Sequence, residues 1–212
     1  MKLNASSQLT SLLKLIGWIL MLLLAALLFV LASRYLSLDP DVYFSEQREV
    51  YIANTIPLLM HVAGSMLATI IGPFQFLKKL RTGRYSKIHR WLGRLYLIGV
   101  LIGGLGGSYL AVIAYGGPMA RLGFMSIAAI WLVSGFMAYI NIRNKRIEPH
   151  RKWMIINYAI TFAGVTLRLW QMLFGIIGLD FLTSYNIVAW LSWVPNLLIA
   201  LSVINRDHSA EK

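Results

Sequence analysis

The sequence has 212 residues, of which 58% are hydrophobic, and a formal net charge of +12. Only 13% of its residues are charged, against about 25% in an ordinary soluble domain, so we predict a polytopic membrane protein that lies almost entirely in or beside the lipid bilayer. The chain contains no cysteine, which excludes disulfides, thiolate metal sites, iron–sulfur clusters and cysteine-based catalysis.

Six apolar runs follow one another along the chain, each long enough to cross a bilayer as a helix. They cover about residues 12–31, 54–77, 89–114, 122–142, 149–177 and 187–204. We therefore predict an all-α protein of six transmembrane helices, with a four-helix core built from the second to the fifth helix. The chain forms a single membrane domain, 1–212, with its core at about 54–177 and a polar tail at 205–212.

The first run has a second interpretation as a signal peptide. Lys2 precedes it, and Val30-Leu31-Ala32 resembles a cleavage site. The run is longer than the usual apolar core of a signal peptide, which favours a retained helix. The following loop, 33–54, contains three tyrosines, four of the eight acidic residues and the helix breaker Pro40, and we predict a short cap on the outer surface there.

The basic residues predict the topology. Sixteen lysines and arginines lie in the N-terminal segment, the loops after the second and fourth helices, and the C-terminal tail, whereas three lie on the opposite side. The positive-inside rule therefore places both termini in the cytoplasm. This distribution accounts for the positive net charge without nucleic acid, which we exclude as a partner.

The fifth run is too polar on one side for a plain membrane span. Its polar residues recur at steps of three and four, which places them on one stripe of a helix: His150, Asn157, Thr161, Arg168 and Gln171. The other faces are apolar. The stripe is predicted to face a cofactor, a ligand or a polar partner inside the protein.

Shorter polar stripes occur on the second and third runs, and counting about 1.5 Å per residue from each helix end separates the polar residues into two levels. The inner level, towards the cytoplasm, contains His89, His150, Gln75 and Arg94, with Asn157 nearer to it than to the other level. The outer level contains His61, Arg168 and Gln171. Gly99, Gly103 and Gly107 on the third run would allow close approach of another helix or of a flat ligand.

Arg168 needs a partner, because an arginine in hydrocarbon costs about 2.5–3.5 kcal/mol on insertion scales. No acidic residue lies at its depth within a span, and Asp180 beyond the helix end is the nearest. We expect Arg168 to bind Asp180, backbone carbonyls, or a ligand such as a haem propionate or a quinone carbonyl.

Four blocks resemble a family of predicted bacterial membrane proteins of unknown function. They are HVAGSMLATIIGPFQFLKKLR (61–81), HRWLGRLY (89–96), GFMSIAAIWLVSG (123–135) and HRKWMIINYAITFAGVTLRLW (150–170). More distantly, the pattern is similar to the cytochrome b561 and ferric-reductase-like proteins. In those bundles, histidines from neighbouring spans hold b-type haem and electrons pass across the membrane.

This resemblance implies a membrane electron carrier in a bacterial inner (plasma) membrane. It makes His89 and His150 the expected axial ligands of a haem b, with ferric or quinone reductase activity. His61 would ligate a second haem, or bind a quinone or a propionate together with Arg168. Members of the b561 group have two histidine pairs, whereas this chain has three membrane-associated histidines and none in its fourth span.

Two other functions fit the same residues. The polar stripe could line the path of a small-molecule or proton-coupled transporter, with histidines as proton relays. Alternatively, the chain could be a structural or assembly subunit of a membrane complex without a cofactor. The sequence contains no acidic residue within a span and no inverted repeat, which disfavours the transporter.

Overall fold

The computed structural model describes residues 5–210, with side chains described for residues 8–206. These residues form helices and connecting turns, with no strand among them. Six stretches are long and apolar enough to cross a membrane: Gln8–Ser37, Thr55–Gln75, Gly83–Val112, Gly117–Arg143, Ile147–Ile176 and Phe181–Arg206. The predicted class, an all-α protein with six candidate membrane spans, is therefore confirmed.

Ten α-helices make up these spans and the segments between them. They are α1 (Ala5–Ser33), α2 (Arg48–Ala53), α3 (Thr55–Gln75), α4 (Lys78–Arg81), α5 (Ser86–Val112), α6 (Gly117–Arg143), α7 (Ile147–Thr161), α8 (Ala163–Ile176), α9 (Phe181–Leu191) and α10 (Val194–Ala210). The fifth span consists of α7 and α8, and the sixth consists of α9 and α10.

The sixth span differs from its predicted limits for local reasons. It begins at Phe181 because the carboxylate of Asp180 accepts a hydrogen bond from the Thr183 N–H at 2.9 Å, which caps the first turn of α9. It is interrupted between Leu191 and Val194, just before Pro195, whose missing N–H cannot continue the helical bonding. Most of the predicted polar tail is helical, since α10 continues to Ala210.

The core is a closed bundle of α3, α5, α6 and α7. α3 packs along α5, α5 along α6, α6 along α7, and α7 returns to α3. Consequently α5 and α7 occupy opposite corners of the bundle, and both run in the same direction. α1 lies outside this core against α3 and α8, and the sixth span packs on α6, α7 and α8.

Glycines allow α3 and α5 to approach each other closely. A methyl group on Gly99 would lie 2.8 Å from the carbonyl oxygen of Gly64, and one on Gly103 would lie 2.9 Å from the backbone nitrogen of Ser65. Gly107 faces the His61 ring, whose Nδ1 would lie 2.7 Å from an added methyl group. The glycine series on α5 therefore serves helix packing, one of its two expected uses.

The segment 34–54 closes one end of the bundle, as the sequence predicts, and we call it the cap. It contains three short 3-10 turns and α2, and its tyrosines pack on one another. The rings of Tyr35 and Tyr43 are stacked with centroids 5.6 Å apart, and Tyr51 meets Tyr43 edge-on at 6.1 Å. We call this the acidic end, and the opposite end, where the loops after α3 and α6 lie, the basic end.

Replacement of Gly64 by alanine should destabilise the protein. The new methyl group would collide with the backbone of α5 at Gly103, and overpacking of this kind costs about 1–3 kcal/mol. Gly17→Ala is the matched control, because nothing lies within 4 Å of the added carbon there. Thermal melting in detergent should show a lowered midpoint for Gly64→Ala alone; equal midpoints would contradict this packing.

Candidate functional site

A cavity of about 370 Å³ lies near the acidic end, between the four-helix core and the helices packed against it. Helices α1, α3, α5, α6, α7, α8 and α9 all contribute to its walls, and the cap covers it. Three predicted site residues line it: His61, Arg168 and Gln171. The structure therefore brings together the three residues that the depth count placed at one level.

His61 lines this cavity with one ring nitrogen already engaged. Its Nδ1 lies 3.0 Å from the carbonyl oxygen of Gly103. A carbonyl can only accept, so Nδ1 carries a proton, and in the neutral ring Nε2 keeps a free lone pair. This is the arrangement by which proteins fix the tautomer of a functional imidazole.

Arg168 lines the cavity with an exposed side chain and has no acidic partner. Among the residues described, the ion pairs are Arg48–Asp41 and Arg151–Glu148, and no carboxylate lies within ion-pairing distance of Arg168. Asp180, one of its expected partners, instead caps α9, and the hydrogen bonds from Thr183 hold the pKa of that exposed carboxyl below its usual value. The guanidinium is a cation without a counter-charge from the described chain.

Neutral hydroxyl and amide side chains line the same cavity as this cation. Arg168 is close enough to Tyr35, Tyr51 and Tyr185 to act on them electrostatically. The buried Gln47 of the cap donates from Nε2 to the Tyr185 hydroxyl at 3.0 Å, and its Oε1 accepts from the Tyr115 N–H at 3.2 Å. Burial raises the pKa of the Tyr51 phenol, which therefore stays neutral.

Gln47 and the cap tyrosines were not among the predicted site residues. The cap is irregular, so no helical period connects its side chains to the stripes on the spans. The available signal was the concentration of three tyrosines in the short loop at 33–54.

A second group of predicted residues lies at the basic end. His89 on α5 and His150 on α7 lie in the first turns of helices at opposite corners of the bundle, both are half-buried, and His150 is near enough to act on His89 electrostatically. Seven residues further along each helix, the Tyr96 hydroxyl donates to Asn157 Oδ1 at 2.6 Å. A seven-residue step returns to nearly the same helix face, so His89 and His150 lie on the sides of α5 and α7 that carry this hydrogen bond.

The polar atoms of this group are only partly satisfied. His150 Nδ1 lies 2.8 Å from the Ala138 carbonyl oxygen, so it donates and leaves Nε2 free. His89 Nδ1 and Gln75 Nε2 are buried and have no hydrogen-bond partner. Gln75 is near His89, because its Oε1 would lie 3.3 Å from a methyl group on Gly93, one helical turn from His89.

Asn157 proves to be a structural hub. It is fully buried, accepts from Tyr96, and donates to the Trp131 carbonyl at 2.7 Å and to Ser134 Oγ at 2.8 Å. Thr161 joins the same network, 2.8 Å from Tyr96 and accepting from the Trp131 indole at 2.8 Å. These bonds engage both the amide nitrogen and the oxygen of Asn157, and it does not line the cavity.

Arg94 lies apart from His89 and His150, although the depth count placed all three at the inner level. Its side chain is exposed, and its guanidinium lies 5.1 Å from the ring centroid of Trp91, which is also exposed. Arg94 is five residues from His89, a spacing that turns it away from the stripe of His89 and Tyr96. The structure does not bring it to the inner group.

The fold and these two groups define a multi-pass helical membrane protein with a mostly apolar cavity that a few polar side chains line. The chain belongs to a family described as a predicted membrane protein, DUF2306, whose model matches residues 58–204. No curated protein matches the chain, and no solved structure matches it. These comparisons show no link to the cytochrome b561 group.

Asn157→Ala should lower the free energy of unfolding by about 1–3 kcal/mol, because it leaves buried hydrogen-bonding groups unpaired. Asn144→Ala, on the exposed end of α6, is the matched control and should change little. Thermal melting of the detergent-solubilised protein measures the difference. An Asn157→Ala protein as stable as the control would contradict the hub assignment.

Proposed function

We propose that the protein is a membrane electron-transfer protein that holds one b-type haem between His89 and His150. The observation that supports this is a pair of half-buried imidazoles at the same end of two parallel helices, on the sides that the Tyr96–Asn157 bond joins, with His150 near enough to act on His89 electrostatically. Haem b is held without cysteine, in agreement with a chain that contains none.

The donor groups at the basic end fit such a haem. A histidine that held the haem iron would present an unprotonated nitrogen to it, while its other nitrogen would donate to a backbone carbonyl or a similar acceptor. His150 meets this requirement through Ala138. His89 carries a buried ring nitrogen for which the described residues supply no partner. Among the described residues, no cluster of three or more His, Cys, Asp or Glu could hold a metal, so the two imidazoles would act as a pair.

The surrounding charge also favours haem. Arg81 and Arg90 lie near enough to His89 to act on it electrostatically. Their guanidinium groups would pair with the propionates, since arginine forms bidentate hydrogen bonds with carboxylates. The haem would supply reversible one-electron chemistry.

The chain's own residues set the spacing of the pair and separate it from the cavity. The Tyr96–Asn157 bond separates α5 and α7 by the length of a tyrosine and an asparagine, which sets the distance between the helices two turns from the histidines. Trp131 and Thr161 belong to the same network and also line the cavity, so this closed polar layer lies between the histidines and the cavity.

We further propose a bacterial inner membrane with both termini in the cytoplasm. The basic end would then face the cytoplasm, because it carries most of the lysines and arginines. Reduction of a quinone or of ferric iron, and association with other membrane subunits, also belong to this proposal.

A transporter is the second candidate, and the cavity with its unpaired Arg168 favours it. A transporter function predicts that substrate uptake depends on Arg168 and that the protein contains no redox chromophore. The haem measurement below separates the two.

Absorbance spectra, oxidised and dithionite-reduced, test the haem proposal on protein produced with added haem. We expect a Soret band that is lost in His89→Ala and in His150→Ala. His61→Ala, which removes the imidazole at the cavity, serves as the control and should keep the band.

Wild-type protein without a Soret band would contradict the proposal. A band lost only in His61→Ala would place the haem in the cavity and would overturn the assignment to the pair.

A further inference from the structure

The cavity at the acidic end has the size of a ligand-binding site. Its volume of about 370 Å³ lies near the lower end of the range for small-molecule pockets, roughly 300–1,000 Å³. Most of its wall is apolar, with Leu28, Phe29, Met66 and Phe124 among the lining side chains. A single apolar chain fits this space better than a two-chain phospholipid.

The polar part of the wall carries one positive charge. Arg168 lines the cavity with an exposed side chain and has no carboxylate within ion-pairing distance in the described chain. In a bilayer such a cation is costly, and a ligand carrying one negative charge would supply the missing counter-charge. The guanidinium forms two parallel hydrogen bonds with a carboxylate, which makes this the best-matched head group.

The other polar groups around Arg168 are neutral. Gln171, one helical turn further along α8, also lines the cavity and has an amide that can donate to an anion. Tyr35 and Tyr185 offer hydroxyl groups on the cap side. His61, with Nδ1 bonded to Gly103, offers a lone pair and no second positive charge. One cation with neutral donors suits a monoanion better than a dianionic phosphate.

We infer that this cavity binds a single-chain amphiphile with one carboxylate, its head at Arg168 and Gln171 and its chain along the apolar wall. This site is independent of the haem proposed between His89 and His150.

Binding of radiolabelled oleate to the full-length protein in phosphatidylcholine nanodiscs tests this inference. Oleyl alcohol, which has the same chain and no charge, should bind at least tenfold more weakly. Arg168→Gln should weaken oleate binding at least tenfold, and Arg168→Lys should retain part of it. Arg121→Gln is the matched control, because Arg121 is an exposed arginine near the acidic end whose Nε donates to the Ala114 carbonyl at 3.1 Å.

Three results would overturn the inference. The first is equal binding of oleate and oleyl alcohol. The second is wild-type binding of oleate by Arg168→Gln. The third is a loss of affinity in Arg121→Gln as large as that in Arg168→Gln. Displacement of oleate by phosphatidylglycerol as readily as by palmitate would assign the cavity to a bilayer lipid instead. The haem spectrum of each variant is recorded in parallel and should not change, so failure of this site is distinguishable from failure of the haem proposal.

Discussion

The hydrogen bond between Tyr96 and Asn157 is the contact on which the arrangement of the bundle depends. It joins helices from opposite corners, and its atoms are fully buried. In hydrocarbon neither group can exchange its partner for water, so the register between α5 and α7 is tightly specified. The histidines are seven residues away on one side of this bond, and the cavity lies on the other.

The two ends of the bundle therefore have different electrostatic character. At the basic end, two imidazoles lie beside basic loops, and buried nitrogens of His89 and Gln75 lack partners. At the acidic end, a single guanidinium faces neutral tyrosine, glutamine and histidine side chains in an apolar cavity. In surroundings of low dielectric constant, electrostatic attraction is strong, so a few polar contacts at either end would be enough to bind a ligand.

Much of the fold could be predicted from the sequence because it depends on the length of the apolar runs and on the helical spacing of the polar residues. Six apolar runs predicted six spans, steps of three and four placed His61, Arg168 and Gln171 on polar stripes, and a count of depth along the helices placed them at one level. Helix ends were less predictable. A side-chain cap at Asp180 extended the sixth span by about one and a half turns beyond the apolar run.

The roles of individual polar residues were harder to predict, because helical spacing shows which face a residue lies on but not which group it contacts. Asn157 has the spacing of a ligand-facing residue, yet its partners Tyr96, Trp131 and Ser134 come from two other helices. Arg94 is close to His89 in sequence but points to the exposed Trp91. Gln47 belongs to an irregular segment whose packing on the bundle depends on tertiary contacts alone.

Electron paramagnetic resonance of the oxidised, haem-loaded protein tests the central claim most directly, because the spin state of ferric haem reports its axial ligands. Two imidazoles, from His89 and His150, predict a low-spin, six-coordinate signal. A high-spin signal would indicate a single protein ligand, and the absence of any haem iron signal would contradict the account altogether.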